Sequence, residues 1–439
     1  MFVRIGNTPR GYAWGSTTAI AELLGTEPSG GPEAELWLGA HAGSPSEILD
    51  PGVVGGARDL AEWIARDPST ALGTDAISGG PSAGSAEAAR LPFLLKVLAA
   101  AGPLSLQAHP SPAEARAGFT RENAEGVPLD SPTRNYKDPL HKPELIYALS
   151  PTFEALCGFR AVDESVAVFD ALGAAARGVA DVPPGSATAL AEFRDRLAGG
   201  AGHAAGSGTA EPSGAANPSA AAEAALRDAV AWLLGGGAEV DALVDAVVGA
   251  AASLELEPVG TLAAAYPGDP GVVLSLLLNH VTLRKGEALY LPAGNIHAYL
   301  SGLGIELMAA SDNVLRGGLT PKHIDVPELL SVLDFSPIAE PRLFPETPLP
   351  GVHVFRPDVP DFALVHIELG ADAAEATVPL PGPAIILCVQ GAVEVIGAGA
   401  VPTLVVLQRG ESVYVTPDES SVRFAGSGSV FLATSNASV

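Results

Sequence analysis

A chain of 439 residues with 47% hydrophobic and 17% charged side chains can bury more than one core, so two or three globular domains are expected. Its 24 Lys and Arg against 50 Asp and Glu leave a formal net charge of -26, which repels nucleic acid and anionic membranes. An anionic substrate must then meet its cations at one concentrated point.

The opening residues, Met1 to Asn7, carry no apolar core of signal-peptide length. No run of roughly 18 apolar residues occurs, so no membrane span and a cytoplasmic location are expected. Cys157 and Cys388, far apart in sequence, read as free buried thiols. Residues 1–152 mix short β-like runs, such as Glu35 to Gly39 and Phe93 to Leu98, with a Gly/Ser/Pro/Ala-rich stretch from Asp67 to Arg90 that reads as a surface loop. Residues 153–262 show helical spacing, as in Asp163 to Ala176 and Ala220 to Leu234. Within them, 199–221 is an Ala/Gly/Ser/Pro tract read as a flexible insertion. Strand-and-turn grammar returns in 263–334, and 335–439 reads as a separate C-terminal β domain of short segments. The expected class is mainly β with an α-helical insertion.

Four segments carry chemistry. In Leu104 to Pro110, read as a strand, Ser105, Gln107 and His109 share one face and Leu104, Leu106 and Ala108 the other. A polar inner face of this kind suits a barrel whose lumen holds a site. Asn135 to Glu144 packs Lys137, Asp138, His141, Lys142 and Glu144 beside an apolar strand. The whole chain has only five Lys, and two of them lie in these ten residues, which points to a role that Arg serves less well. Gly286, Pro292, Gly294 and His297 match the spacing of the second cupin motif, with Ser301 replacing its final Asn. There Pro292 and Gly294 would form a tight turn that sends His297 inward, where cupins use it as a metal ligand. Finally, Arg316 before Gly317 and Gly318, with Lys322 beyond a Thr-Pro turn, offers two cations for a phosphate.

With Tyr12 to Ser16, Ala34 to His41, Gln107 to Pro110, Asn135 to Glu144, Pro292 to Leu300 and Met308 to Lys322 in that order, the chain resembles the type I phosphomannose isomerases over nearly its full length. The resemblance implies one zinc per chain, bound by Gln107, His109, Glu144 and His297. It also implies two cupin (jelly-roll) barrels: a catalytic one formed by 1–152 and 263–334 and split by the helical domain, and a second one at the C-terminus. The sequence Gly410 to Pro417 lacks a ligating His, so the second barrel is expected to be metal-free. One departure is Gly317, where the family commonly has Ala.

The implied reaction interconverts mannose 6-phosphate and fructose 6-phosphate through a cis-enediol. It needs a carbon base titrating near neutrality, for which His141, Lys142, Glu306 and Asp312 are the candidates. Arg316 is expected at the enediolate or the phosphate, with Lys322, Ser105 and Tyr299 contacting substrate. The zinc would act as a Lewis acid or by charge, and Mn, Co or Fe suit the same ligands. His41, His203, His280, His323, His353 and His366 read as structural or surface residues. The rivals are another sugar-phosphate isomerase or epimerase on the same scaffold and a non-catalytic sugar-binding bicupin. The expected partner is a sugar phosphate, not nucleic acid or membrane, and the expected state is a monomer or weak homo-oligomer.

Overall fold

The structure, a computed structural model, describes residues 1–74, 89–178, 182–199, 218–254, 256–400 and 403–436. The first part of the chain supplies β1 (Phe2–Gly6), α1 (Ala19–Leu24), β2 (Glu35–Leu38), β3 (Glu47–Ile48), α2 (Leu60–Arg66), α3 (Pro68–Leu72), β4 (Phe93–Ala100), β5 (Leu106–Ala108), α4 (Pro112–Ala124), β6 (Glu144–Ala148) and β7 (Thr152–Phe159). The helices α5 (Val162–Gly178), α6 (Ser186–Gly199), α7 (Pro218–Gly235), α8 (Ala238–Ala251), α9 (Glu257–Ala265) and α10 (Gly271–Leu274) follow. Next come β8 (Leu278–Arg284), β9 (Ala288–Leu291), β10 (His297–Ala309), β11 (Leu315–Gly318), α11 (Val326–Val332) and β12 (Arg342–Leu343). The chain ends in β13 (Glu346–Leu349), β14 (Val352–Phe355), β15 (Ala363–Leu369), β16 (Glu375–Pro379), β17 (Ala384–Gly397), β18 (Leu404–Gln408), β19 (Ser412–Val415) and β20 (Ser421–Thr434).

Among the described residues these strands form two ten-stranded sheets, paired antiparallel throughout. The molecule is thus mainly β with several helices. In the first sheet β10 is the hub. Its later half, from Gly302 to Ala309, lies between β4 and β6, and its first half, from His297, between β5 and β7. A bulge between Tyr299 and Ser301 separates the two halves and lets one strand serve both sets of partners. The eight residues of β4 are all buried, so both of its faces are covered and its run of Phe, Leu and Val needs no polar side. Lys96 is the exception inside it.

Helices α5 to α10 gather one apolar core with Leu106, Ala108 and Leu315 from the strands beside them and Ile296 just before β10. The Leu106 and Ala108 face of β5 therefore packs against the helical layer, as the alternation predicts. A second core joins the two sheets, with Leu36, Leu95 and Ile305 from the first meeting Phe355, Leu387 and Phe431 from the second.

Several expectations need correction. The stretch read as helical from 153 opens on β7, whose apolar residues pair with β8 and β10, and helix begins only at Val162. Residues 1–152 do not all belong to the first sheet, because Phe2 to Ile5 pair with Val415 to Ser412 of the second. The stretch from Asp67, read as a loop, begins with α3, where Asp67 caps the helix by accepting from Thr70 N and Pro68 occupies the first turn. The rest of that stretch, 75–88, lies outside the described residues, as do 200–217 of the low-complexity tract and His203. The strand through Gln107 is shorter than expected. Leu104 precedes it and packs with the inner cluster of Tyr299 and Phe153 instead of sharing a face with Leu106. Both cysteines are free and buried, and among the described residues no helix is long and apolar enough to cross a membrane.

His366 of β15 sits where the sheets meet. Its Nδ1 lies 3.1 Å from the Tyr147 hydroxyl of β6, its Nε2 lies 2.8 Å from Ser429 Oγ of β20, and the ring stacks on Phe431. Burial, helped by the nearby charges of His353 and Lys285, pushes its pKa down to about 3. An unfolded imidazole titrates near 6.5, so above that pH both states are neutral and stability is complete. As pH falls from 6.5 toward 3, only the unfolded state takes up the proton, and about 1.4 kcal/mol is lost per pH unit. Urea unfolding at pH 7.5 and pH 5 should show the wild-type chain losing about 2 kcal/mol more than His366→Gln.

Candidate metal centre and active site

Strand register brings together the residues singled out in the sequence. Across the sheet, Arg316 of β11 lies opposite Gln107 of β5, Gln107 opposite His297 of β10, and His297 opposite Cys157 of β7. Directly paired residues share a face, so the first three project together. Glu144 opens β6, paired with Met308 of β10 and Leu291 of β9. His109 follows β5, and its carbonyl accepts from Gly294 N at 2.9 Å. Gly294 has a φ of 78° in the expected turn, which Asn295 N closes onto the Pro292 carbonyl, and His297 starts the next strand.

His109 Nε2 lies 3.2 Å from Glu144 Oε1, and His297 Nε2 lies 3.1 Å from Glu144 Oε2. Gln107 Nε2 reaches His297 Nε2 at 3.4 Å. All three of His109, Glu144 and His297 are buried, with ligand atoms within 4.8 Å of one another. The tautomers follow from the outer contacts. His109 Nδ1 donates to the Asn313 carbonyl at 2.7 Å and His297 Nδ1 to the Asn295 carbonyl at 3.1 Å. A carbonyl only accepts, so both Nδ1 atoms carry the proton and both Nε2 lone pairs face Glu144. Burial, then the Lys142 charge, lowers the His109 pKa to about 4, so at neutral pH its ring is uncharged. Its Nε2 has no partner in hydrogen-bonding geometry. Two lone pairs aimed at a carboxylate repel one another unless a cation lies among them, so this donor set fits a divalent metal ion.

Burial opposes ionisation of Glu144, but the Lys142 charge outweighs it and holds the carboxyl well below its ordinary range. The Lys142 ammonium is 2.8 Å from Glu144 Oε1. Nearby, Lys96 places its ammonium 2.8 Å from Glu306 Oε2 and 3.5 Å from Glu35 Oε1. Burial works against that charge, yet Glu306 and Glu35 raise the Lys96 pKa, so it stays an ammonium. Glu306 itself is raised from the usual carboxyl range, by burial first and despite Lys96. Tyr299 is fully buried, and burial and the Glu306 charge raise its phenol well above the ordinary value.

Gln107, His109, Glu144, His297, Lys142, Glu306 and Tyr299 therefore converge, with Arg316 one strand away in register. Lys322 is exposed, and Arg316 is close enough that its charge, after desolvation, lowers the Lys322 pKa. Their loop is shaped by backbone contact: Gly318 has a φ of 128°, and a Cβ there would sit 2.9 Å from Gly271 Cα. An Ala at position 317 would only touch Ile296 Cδ1 at 3.2 Å, a shift that a side chain can absorb. Ser105 is half-buried two residues before Gln107.

Two candidates make their ion pairs outside the ligand set. His141 turns to Asp361, 2.9 Å from its Nε2, because the loop after β14 lies against it. Asp312 pairs with His41 Nε2 at 3.2 Å, and His41 Nδ1 accepts from Gly43 N, so His41 is a contact of the site's rim. The other histidines read as structural include His280, paired with Glu154, and the exposed His323. Lys96 was missed, although a lone Lys inside the apolar run Phe93–Ala100 was the signal that could have found it. A separate open cleft of about 600 Å³, lined by Glu22, Ser150, Gln390 and Arg409, lies elsewhere and lacks a ligand set of this kind.

Asn313 fastens the loop that carries Lys142. Its Oδ1 accepts from Lys137 N and Asp138 N, and its Nδ2 donates to the carbonyls of Asp138 and Leu140. Asn313→Ala should lower the melting temperature and weaken divalent-metal retention by about tenfold, read as metal per chain after dialysis.

A family model described as phosphomannose isomerase type I, catalytic domain, matches residues 2–162. Over 428 residues, covering 96% of both chains, the protein is 37% identical to mannose-6-phosphate isomerase from Escherichia coli strain K12. Its fold is similar to that of a solved point mutant of phosphomannose isomerase from Salmonella typhimurium, with a TM-score of 0.81 and 34% identity over 99% of this chain and 100% of that one. A mannose 6-phosphate isomerase solved with zinc and yttrium bound gives a TM-score of 0.80 at 34% identity, over 99% of this chain and 100% of that one.

Proposed function

The chain belongs to the type I mannose-6-phosphate isomerases, and on that footing we propose that its buried site interconverts mannose 6-phosphate and fructose 6-phosphate. The observation that carries this reading is the row Arg316–Gln107–His297, which sets a cationic anchor beside a donor set made for a divalent ion. We assign zinc to Gln107, His109, Glu144 and His297, in keeping with the zinc in the similar solved isomerase. Bound there, zinc supplies positive charge and Lewis acidity toward the C1 and C2 oxygens. We read the inward row and the inner cluster around Tyr299 as the lumen of a cupin-like catalytic barrel, built from strands of 1–152 and 263–334, and β13 to β20 as a second barrel completed by β1.

Isomerisation removes a proton from C2 of the open-chain aldose, returns one to C1, and moves a proton between the two oxygens. We assign the carbon base to Glu306. A buried carboxyl whose pKa burial raises above its ordinary value can both take and return a proton, and Lys96 orients it. The Lys96 and Lys142 ammonium groups offset the charge of the enediolate, and Tyr299 packs against His297 to shape the wall. Arg316 and Lys322 hold the phosphate, with Ser105 beside them. This arrangement answers the net charge of -26, because two of the five lysines, Lys96 and Lys142, are buried beside the site's carboxylates.

Conversion of mannose 6-phosphate should vanish with chelator and return with zinc, and absence of activity with every metal added back would overturn the assignment. Arg316→Ala should raise KM by about tenfold or more, the loss of a charge-assisted phosphate contact, while metal per chain stays unchanged.

A further inference from the structure

We propose that Trp37 is the positioning residue for Lys96, with Arg10 clamping the indole; the inference rests on the reading of Lys96 as a cation that faces the substrate. In the first sheet Trp37 of β2, Lys96 of β4 and Glu306 of β10 are directly paired, so the three side chains stand side by side on one face. The Lys96 ammonium lies 5.1 Å from the Trp37 ring centroid. The indole also acts a second way, since its Nε1–H donates to Glu35 Oε2 at 2.9 Å and leaves Glu35 Oε1 turned to Lys96. One side chain therefore sets both the ring face and one of the two carboxylates that hold the ammonium. An ammonium has three donors; Glu306 takes one at 2.8 Å while Glu35 stands at ion-pair distance, which leaves a donor for a substrate oxygen.

The indole is itself immobilised. The Arg10 guanidinium sits 4.6 Å from its centroid, His41 meets it edge-on at 4.9 Å, and Leu94 and Met308 pack beside it. Arg10 is anchored in turn by the Gly43 carbonyl at 2.9 Å and the Tyr12 hydroxyl at 2.7 Å. A lysine has four rotatable side-chain bonds, and a reacting geometry needs one of its rotamers. Trp37 supplies that restriction from a position that touches neither the ligand set nor the phosphate cations.

The test is a double-mutant cycle on the zinc-loaded enzyme with Trp37→Leu, Trp37→Phe and Lys96→Met, each assayed for kcat, KM and metal per chain. Trp37→Leu should lower kcat about tenfold with KM and metal content little changed, as expected for loss of a desolvated cation–π contact. Trp37→Phe, which keeps a smaller ring face and loses the N–H, should recover part of that loss. In the Lys96→Met background Trp37→Leu should cause no further fall. Losses that add in the double variant, or a Phe variant as impaired as the Leu variant, would overturn the role of Trp37. Full activity in Lys96→Met would instead overturn the reading of Lys96 on which it rests.

Discussion

The interaction on which the site depends is the ionised, fully buried Glu144 carboxylate. A lone carboxylate at that depth would take up a proton, so its charge must be met on every side. Lys142 meets it from the neighbouring loop, and the two imidazoles turn their Nε2 atoms toward it. Their Nδ1 protons are tied to backbone carbonyls, which fixes ring orientation as well as tautomer. The outcome is a cluster of electron pairs that only a cation completes.

That arrangement imposes demands on the rest of the fold. The proposed ligands come from β5, β6 and β10 and from the residue after β5, so register errors of one residue would turn each side chain to the wrong face. The bulge in β10 and the Pro292–Gly294 turn set this register. Asn313 then links the loop carrying Lys142 to the segment that accepts the His109 proton. The helical layer covers the outer face of β5, and the second sheet covers the outer face of β4 and β10, so the inner face is left for chemistry.

Charge distribution follows the same logic. A strongly acidic protein that handles a phosphate must hold its cations where the acidic field cannot neutralise their effect. Here Lys96 and Lys142 are buried and individually braced by carboxylates, whereas Arg316 and Lys322 lie toward solvent. Lys96 keeps its proton through those contacts, and the outer pair stand where the proposed phosphate would bind.

Much of this was legible in the sequence because short-range rules govern it. The turn before His297, the Gln107 and His109 pair, the charged segment ending in Glu144 and the Arg316 to Lys322 loop are local patterns whose backbone geometry follows from Gly, Pro and alternation. The family's six blocks added the metal set. What the chain could not show by itself were distances across it. His141 and Lys142 are adjacent in sequence, yet one turns to Asp361 and the other to Glu144, a choice made by which segment packs against each. Lys96, Glu35 and Trp37 become a unit only when β2 pairs with β4 and β4 with β10, and Phe2 to Ile5 join the distant end of the chain for the same reason. Sequence determined the residue types and local turns, which depend on neighbours along the chain. Tertiary structure decided the partners, because strand pairing and burial set protonation and contact between residues hundreds of positions apart.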